Sequence, residues 1–384
     1  MKFYATEPVE SFYFHWPFCP YKCHFCPFVA LASHDQYMGQ YHDALKKEFL
    51  SFSSTHQLSP LKTIFLGGGT PSTYPEDLLL DMFDTLYKKC TFDSQAEISL
   101  EVNPGTVTPQ KIQTWKRAGI TRLSVGVQSL NDNVLQKLNR HQKAQDVFDF
   151  FEYALPLFDN ISIDLIIGLP GITPADWKEL LETIVRWPIK HVSLYVLMVH
   201  EDTPLYFGIK NKRIALPADE EVIELYEWSV ATLATYGFSQ YEISNFSRLG
   251  YESKHNSVYW HRKPYKGFGL GACSFDGKRR IQNEKNLMSY LAHSECNSDI
   301  VLSCEELTSY DAWLETVMLG IRLNKGVSMR SILTNQSEDK QKNIQTLLND
   351  CVQHGLLALE NDIIKLTVRG RALEHEIVAR LASL

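Results

Sequence analysis

Three cysteines are spaced C-x3-C-x2-C in the segment Phe18-Cys-Pro-Tyr-Lys-Cys-His-Phe-Cys-Pro-Phe28. Thiolates are the usual ligands of iron–sulfur clusters, and a compact loop can wrap Cys19, Cys23 and Cys26 around one [4Fe–4S] cube. Three ligands for four irons leave one iron open to a further ligand. A structural zinc site instead closes four ligands, commonly as two C-x2-C pairs, and no second pair follows here. His15 or His24 would have to complete a zinc tetrahedron. The other cysteines, Cys90, Cys273, Cys296, Cys304 and Cys351, are scattered and read as small buried residues.

The elements that must position these thiols are legible in the apolar pattern. Short β-branched and aromatic runs at 12–15, 63–66, 97–102, 122–127, 161–167 and 192–198 alternate with segments of helical period. Those segments lie near 36–52, 75–89, 108–117, 143–155, 174–186 and 219–236, several opening on Pro, Asp or Thr. Crossovers of this length imply parallel strands. The expected fold is therefore α/β: a partial (β/α)6 TIM-like barrel rather than a closed eightfold one. Chemistry in such folds gathers at the C-terminal strand ends. Cys19 follows the first strand, Gly67, Gly68 and Gly69 follow the second, and Glu101 ends the third. The glycines, leading into Thr70, let the backbone approach a ligand closely, although such a run alone is often only a tight turn. Asp164 is a carboxylate inside an apolar strand, so it calls for hydrogen bonds, a buried arginine or a ligand.

Three regions are expected along the chain. Residues 1–205 form the partial barrel, and 206–300, with an unassigned Tyr- and Gly-rich stretch at 236–277, complete it. Residues 301–384 read as a small winged-helix-like α+β domain, reached through a polar linker at 294–303. The predicted pieces of that domain are helices at 308–322 and 339–353, a hairpin around Asn361-Asp362, and a last helix at 369–382. Residues 305–384 hold 9 Lys or Arg against 11 Asp or Glu, so the basic stripe of a DNA reader is missing. The net charge of -7 likewise argues against a polyanion partner. A zinc-bound winged-helix DNA-binding protein is accordingly the weakest reading, and no nucleic acid partner is expected. No apolar run has the length of a signal peptide or a bilayer span, which predicts a cytoplasmic protein without a membrane span.

The cysteine loop, with Phe25 just before the third cysteine, resembles the cluster motif of the radical S-adenosylmethionine (SAM) superfamily. The resemblance implies a radical SAM barrel whose open iron binds the amino and carboxylate groups of SAM. It further implies that Phe25 lies beside the adenine, that Tyr13 borders the sulfonium, and that Gly68, Gly69 and Thr70 belong to a methionine-binding element. Glu101 resembles the family's ribose-binding acid, while Gln128, Arg140 and Asp164 match positions that touch the cofactor or a second ligand.

Within the superfamily, the chain resembles the group holding oxygen-independent coproporphyrinogen III oxidase and the heme chaperone HemW. His15-Trp-Pro-Phe-Cys19, Gly67 to Pro71, Glu101-Val-Asn-Pro-Gly105, Asp164 to Pro170 and Tyr241-Glu-Ile-Ser-Asn-Phe246 carry that resemblance. Three features point to the chaperone side. The oxidase pattern has a fourth cysteine where this chain has Phe28, and it has a long N-terminal arm, whereas 18 residues precede Cys19 here. His255-Asn-Ser-Val-Tyr-Trp260 looks like the HNxxYW motif of the chaperone group. Imidazole is a common axial ligand of heme iron and the two aromatics can stack on a porphyrin, so His255 is the candidate heme ligand. The plainer reading of His255 is a satisfied histidine beside two packing aromatics. Cys273 stands where relatives usually have histidine, and Trp16 where they usually have isoleucine.

The function this implies is a heme chaperone that holds a [4Fe–4S] cluster and SAM, needs a reductant, and passes heme to a recipient hemoprotein. The enzyme alternative is oxidative decarboxylation of coproporphyrinogen III, in which a 5′-deoxyadenosyl radical abstracts a propionate hydrogen.

Overall fold

The computed structural model describes residues 3–5, 7–296 and 300–384. Its centre is built by six parallel strands that lie side by side in chain order: β1 (Ser11–Trp16), β2 (Leu61–Gly68), β3 (Phe92–Val102), β4 (Arg122–Gln128), β5 (Ile161–Ile167) and β6 (His191–Val196). Between them run α1 (Met38–Thr55), α2 (Glu76–Lys89), α3 (Pro109–Arg117), α4 (Ala144–Ala154) and α5 (Pro174–Ile184), and α6 (Asp219–Thr235) follows β6. Each predicted strand and helix of this region is present within a few residues of its expected bounds.

Side chains alternate across each strand, so one face of the sheet meets the helices and the other lines the barrel interior. On β1 the helix-facing set is Phe12, Phe14 and Trp16, which pack edge-on and stacked against Phe49, Phe52, Tyr41 and Phe268. Each such ring, fully buried, contributes roughly 1.5–3 kcal/mol. The interior set is polar to an unusual degree: Tyr13, His15, Thr63, Glu97, Glu101, Ser124, Asp164 and His191. A polar barrel interior holds only if its groups are paired, or if a ligand pairs them.

The stretch left unassigned from sequence supplies the sheet edges. β7 (Ser239–Gln240) and β8 (Asn245–Ser247) add antiparallel beyond β6, and β9 (Lys266–Phe268) adds parallel beside β1. Among the described residues the sheet therefore has nine strands, in the order β9-β1-β2-β3-β4-β5-β6-β8-β7. Edge strands of two or three residues are too short to show a period, which is why six were expected. Between β8 and β9 lies α7 (Lys254–Trp260).

Three strands form a separate small sheet, β10 (Cys273–Phe275), β11 (Arg279–Asn283) and β12 (Val301–Glu306). The polar segment at 294–303 is thus not an unstructured linker along its described length. It finishes α8 (Leu287–Glu295) and begins β12, while 297–299 lie outside the described residues.

The C-terminal module has its own apolar core, including Val317, Ile344, Leu348, Ile364 and Ile377. It contains α9 (Ser309–Arg322), α10 (Glu338–Gln353) and a hairpin of β14 (Leu357–Glu360) and β15 (Ile363–Leu366), with β13 (Val327–Ser328) pairing on β15. Asn361 and Asp362 both have positive φ, 49° and 69°, the backbone that a tight two-residue hairpin turn requires. The expected last helix is divided at Leu373 into Val368–Ala372 and α11 (Glu374–Ala382). This is a winged-helix-like arrangement. Among the described residues, no helix is long and apolar enough to cross a membrane.

Candidate functional site

The cysteine loop leaves β1 at the C-terminal end of the barrel and is tied down by backbone bonds on several sides. Phe18 and Cys19 pair with Leu31 and Ala32, His24 donates its amide to Leu138, and Leu205 donates to His24. The Asn139 amide reaches the Lys22 carbonyl at 2.8 Å. Anchors to three later parts of the chain make the loop a fixed wall.

That wall closes one side of a cavity of about 360 Å³. The Cys19, Cys23 and Cys26 side chains line it, together with Phe25, Gly68, Gly69, Thr70, Glu101, Gln128, Arg140 and Asp164. The fold thus brings together residues that lie up to 145 positions apart in the chain, from the ends of β1 to β5. Tyr13 is the exception. It does not reach the cavity wall: its hydroxyl is bonded to His15 Nδ1 at 2.9 Å, and its ring stacks on Phe65 beneath Gly67. Tyr13 thus supports that wall from below.

The geometry around the thiols suits a bulky group ligated by sulfur. Cys19 Sγ lies 3.1 Å from the Thr70 hydroxyl, and an Arg140 guanidinium nitrogen lies 3.7 Å from Cys23 Sγ. Burial pushes the Cys19 thiol up to about 12 and raises Cys26 as well. Both are therefore protonated at neutral pH until a metal displaces the proton. At Gly69 an added Cβ would meet the Pro17 carbonyl oxygen at 2.3 Å and Cys19 Sγ at 3.0 Å, so only glycine lets the turn after β2 pass this close to the loop. Among the described residues no three His, Cys, Asp or Glu side chains are placed to hold a single metal ion. Thiols that each meet a different iron of a cube need not converge on one point, as the ligands of one zinc must.

The floor of the cavity is acidic. Glu101 accepts a hydrogen bond from the Gly68 amide at 3.0 Å. Burial first, and the neighbouring Asp164 second, push its carboxyl up to about 8. Asp164 accepts from the Ser124 hydroxyl at 3.1 Å, and burial raises its pKa against the opposing pull of Ser193 and the Arg122 guanidinium. The buried arginine and hydrogen bonds expected for Asp164 are both here, and the carboxylate also faces the cavity. Arg140 is held by the Gly126 carbonyl and by Gln142 Oε1 at 3.1 Å, so it braces the end of β4 against the cysteine loop. Gln128 sits at the cavity wall with φ 64°, a left-handed conformation that turns the chain out of β4.

Sequence reasoning missed several wall residues: Tyr21, Asn103, Ser124, Tyr195, Met198 and His200. Asn103 donates to the Tyr21 hydroxyl at 2.7 Å, linking the end of β3 to the cysteine loop. Trp16, which stands where relatives usually have isoleucine, stacks on Tyr74 at 3.7 Å and donates to the Thr73 hydroxyl at 3.0 Å. It fixes the turn that follows the glycines.

His255 lies elsewhere. It is on α7, with 0% exposure, at the opposite end of the barrel interior. Its Nδ1 is bonded to the Thr63 hydroxyl and its Nε2 to the Tyr259 hydroxyl, both at 2.8 Å, and its ring stacks on Phe65. Burial holds it neutral, down to about 3. Both nitrogens are engaged and neither faces solvent, which is the geometry of the satisfied-histidine reading. Trp260, in the same motif, lies under the Arg322 guanidinium at 5.0 Å. Cys273 is half-buried, accepts from the Gln282 amide at 3.4 Å, and has its thiol raised by burial.

Comparison with known proteins agrees with this geometry. The radical SAM superfamily matches residues 13–184, and the HemN C-terminal domain matches residues 307–373. The chain is 33% identical to heme chaperone HemW of Bacillus subtilis (strain 168), over 96% of this chain and 98% of that protein. It is 30% identical to heme chaperone HemW of Lactococcus lactis subsp. lactis, over 96% of each. A radical S-adenosyl methionine domain-containing protein 1, mitochondrial, of Danio rerio is 30% identical over 83% of this chain and 74% of its own length. The fold is that of coproporphyrinogen III oxidase (HemN) from Escherichia coli, a radical SAM enzyme, with a TM-score of 0.84 at 23% identity, covering 97% of this chain and 90% of that one. Because the relatives match along nearly the whole length, and the superfamily match contains every strand end that lines the cavity from β1 to β5, the chain belongs to the HemW family of radical SAM proteins.

Proposed function

We propose that this chain is a heme chaperone whose cavity holds a [4Fe–4S] cluster on Cys19, Cys23 and Cys26 with SAM beside it. The observation that carries the cofactor site is the convergence of three thiols, those of Cys19 and Cys23 buried and that of Cys26 half-buried, a close-approach glycine turn and an acidic floor on one cavity. Gly68, Gly69 and Thr70 would present backbone groups to the methionine end of SAM, and Phe25 an apolar face to its adenine. Glu101 and Asp164 would take the ribose hydroxyls or a second polar group, and Gln128 and Arg140 would order that side of the wall. When bound, the cluster supplies one-electron reduction of the sulfonium, and a reductant must supply that electron. The chain's own residues hold, orient and exclude water.

The heme part of the reading rests on the HemW relatives and on Phe28, which stands where the oxidase pattern has its fourth cysteine. The recipient would be a hemoprotein that takes heme from the loaded chain. The cavity also bears on the alternative. Coproporphyrinogen III carries four propionates, yet among the described residues the only cationic ones on the cavity wall are Lys22 and Arg140, and Arg140 is already bonded within the protein. A tetracarboxylate would be poorly matched there.

The test is to reconstitute the chain anaerobically and supply, in parallel, heme with an apo-hemoprotein and coproporphyrinogen III with SAM and reductant. Heme transfer without protoporphyrinogen is the expected result. Protoporphyrinogen formation, or no uptake of heme, would overturn the chaperone reading.

A further inference from the structure

With both nitrogens of His255 engaged, heme iron needs another ligand, and the mouth of the cavity offers one. Four large apolar side chains stand out from its rim: Met198 is 69% exposed, Phe28 64%, Val196 45% and Tyr195 41%. All four line the same cavity, Phe28 from the cysteine loop and the other three from the end of β6 and the segment after it. Apolar side chains gathered at a cavity mouth and left to solvent mark a place where an apolar ligand lies.

His200 lines the same mouth, two residues beyond Met198. Its carbonyl caps the turn into the helix Pro204–Lys210 by accepting from Thr203, but among the described residues no hydrogen bond or ion pair engages its ring. This is the reverse of His255, whose ring is locked on both sides. Lys22 is exposed at the same mouth and faces the cavity. A free imidazole, a set of exposed apolar side chains and one cation are what a flat apolar macrocycle with a ligand-seeking iron and carboxylates at one edge requires.

We infer that heme docks on this rim, with His200 as the axial ligand of its iron, Phe28, Val196 and Met198 against the macrocycle, and Lys22 beside a propionate. The inference rests on the chaperone reading above and assigns the place and the ligand that reading lacks. It also explains why the rim is left open. The deeper cavity wall, with its thiols and carboxylates, is polar and suits the cofactors, whereas a macrocycle on the rim keeps one face toward solvent. A recipient hemoprotein must reach that face to take the heme.

The experiment is a heme titration of the anaerobically reconstituted full chain, followed by the Soret band and by the spin state of the iron, for wild type, H200A and M198S. Iron and sulfide content of each variant, measured before heme is added, reports an intact fold and cluster. H200A should lose at least about tenfold in heme affinity and change the spin state, with cluster content unchanged, and added imidazole should restore the wild-type spectrum. M198S should weaken binding by a few-fold without altering the spin state. A wild-type spectrum and affinity in H200A would overturn the assignment of His200 while leaving the chaperone reading standing. No heme binding by the wild-type chain would overturn both.

Discussion

The two ends of the barrel interior are built from the same residue types and are used in opposite ways. At the N-terminal strand ends Glu97, His191 and His255 are all partnered within the protein. The Glu97 carboxylate accepts from the Lys254 and His255 amides at 3.0 Å each, which caps α7, while Thr63 and Tyr259 take both nitrogens of His255. His191 is bonded to Ser162 at 2.7 Å and to Tyr241 at 2.8 Å. At the C-terminal strand ends the Cys19 and Cys26 thiols are raised by burial, Glu101 is held largely protonated, and an apolar rim faces water. One end has spent its polar groups on itself and forms a plug. The other leaves its thiols, Glu101 and Asp164 on the wall of a cavity. A strongly shifted ionisable group is thus not by itself a functional signal: His255 and Glu101 are both shifted by burial, and only Glu101 opens onto a cavity.

The contrast can be broken most forcefully at the thiols. Replacing Cys19, Cys23 and Cys26 together by serine should reduce iron from about four per chain to nearly none, as expected for a Cys-ligated cube, with the far-ultraviolet circular dichroism retained. Iron analysis after anaerobic reconstitution reads this directly.

The plug should answer in stability instead. His255→Ala leaves a cavity and strips partners from Thr63 and Tyr259, so the urea midpoint should fall by the equivalent of about 3 kcal/mol while cluster content holds. A loss of heme binding at full folding, with no loss of stability, would instead make His255 a ligand.

The acidic floor gives a pH-dependent prediction. The Glu101 carboxyl has a folded pKa near 8, raised above its ordinary value of 4.5, so relative to the unfolded chain it favours folding at low pH. That contribution is lost as pH rises toward 8. Glu101→Gln should therefore match wild type below about pH 4.5 and become more stable across the window up to 8, by roughly 1–3 kcal/mol at the top. Denaturation of the metal-free chain at several pH values checks the sign.

The smallest expected effect is at the join of the plug to the C-terminal module. Arg322 bridges the buried Glu242 at 3.4 Å and Glu374 at 3.7 Å, and covers Trp260. Arg322→Met should cost about 1 kcal/mol in thermal or urea unfolding and leave iron content unchanged.

What the sequence made legible divides along the same line. The cysteine spacing, the glycine turn and the strand-end acids were readable because their chemistry is local: three thiols within eight residues, or one polar residue closing an apolar run. The state of His255 was not, because one of its partners, Thr63, lies 192 positions away on β2. The rim was missed for a related reason. The apolar run 192–198 reads as one buried strand, but β6 ends at Val196 and its last side chains, with Met198 and His200, stand at the mouth. The edge strands β7, β8 and β9 leave no period to detect.

The central claim is that the open end holds a cube with one iron free for SAM, and one spectrum addresses it. The reconstituted chain, reduced anaerobically, should show the paramagnetic signal of a reduced [4Fe–4S] cluster, and that signal should shift when SAM is added. Replacement of Cys26 by serine should abolish it. A signal that ignores SAM, or a chain that takes up tight zinc and no iron, would contradict the account.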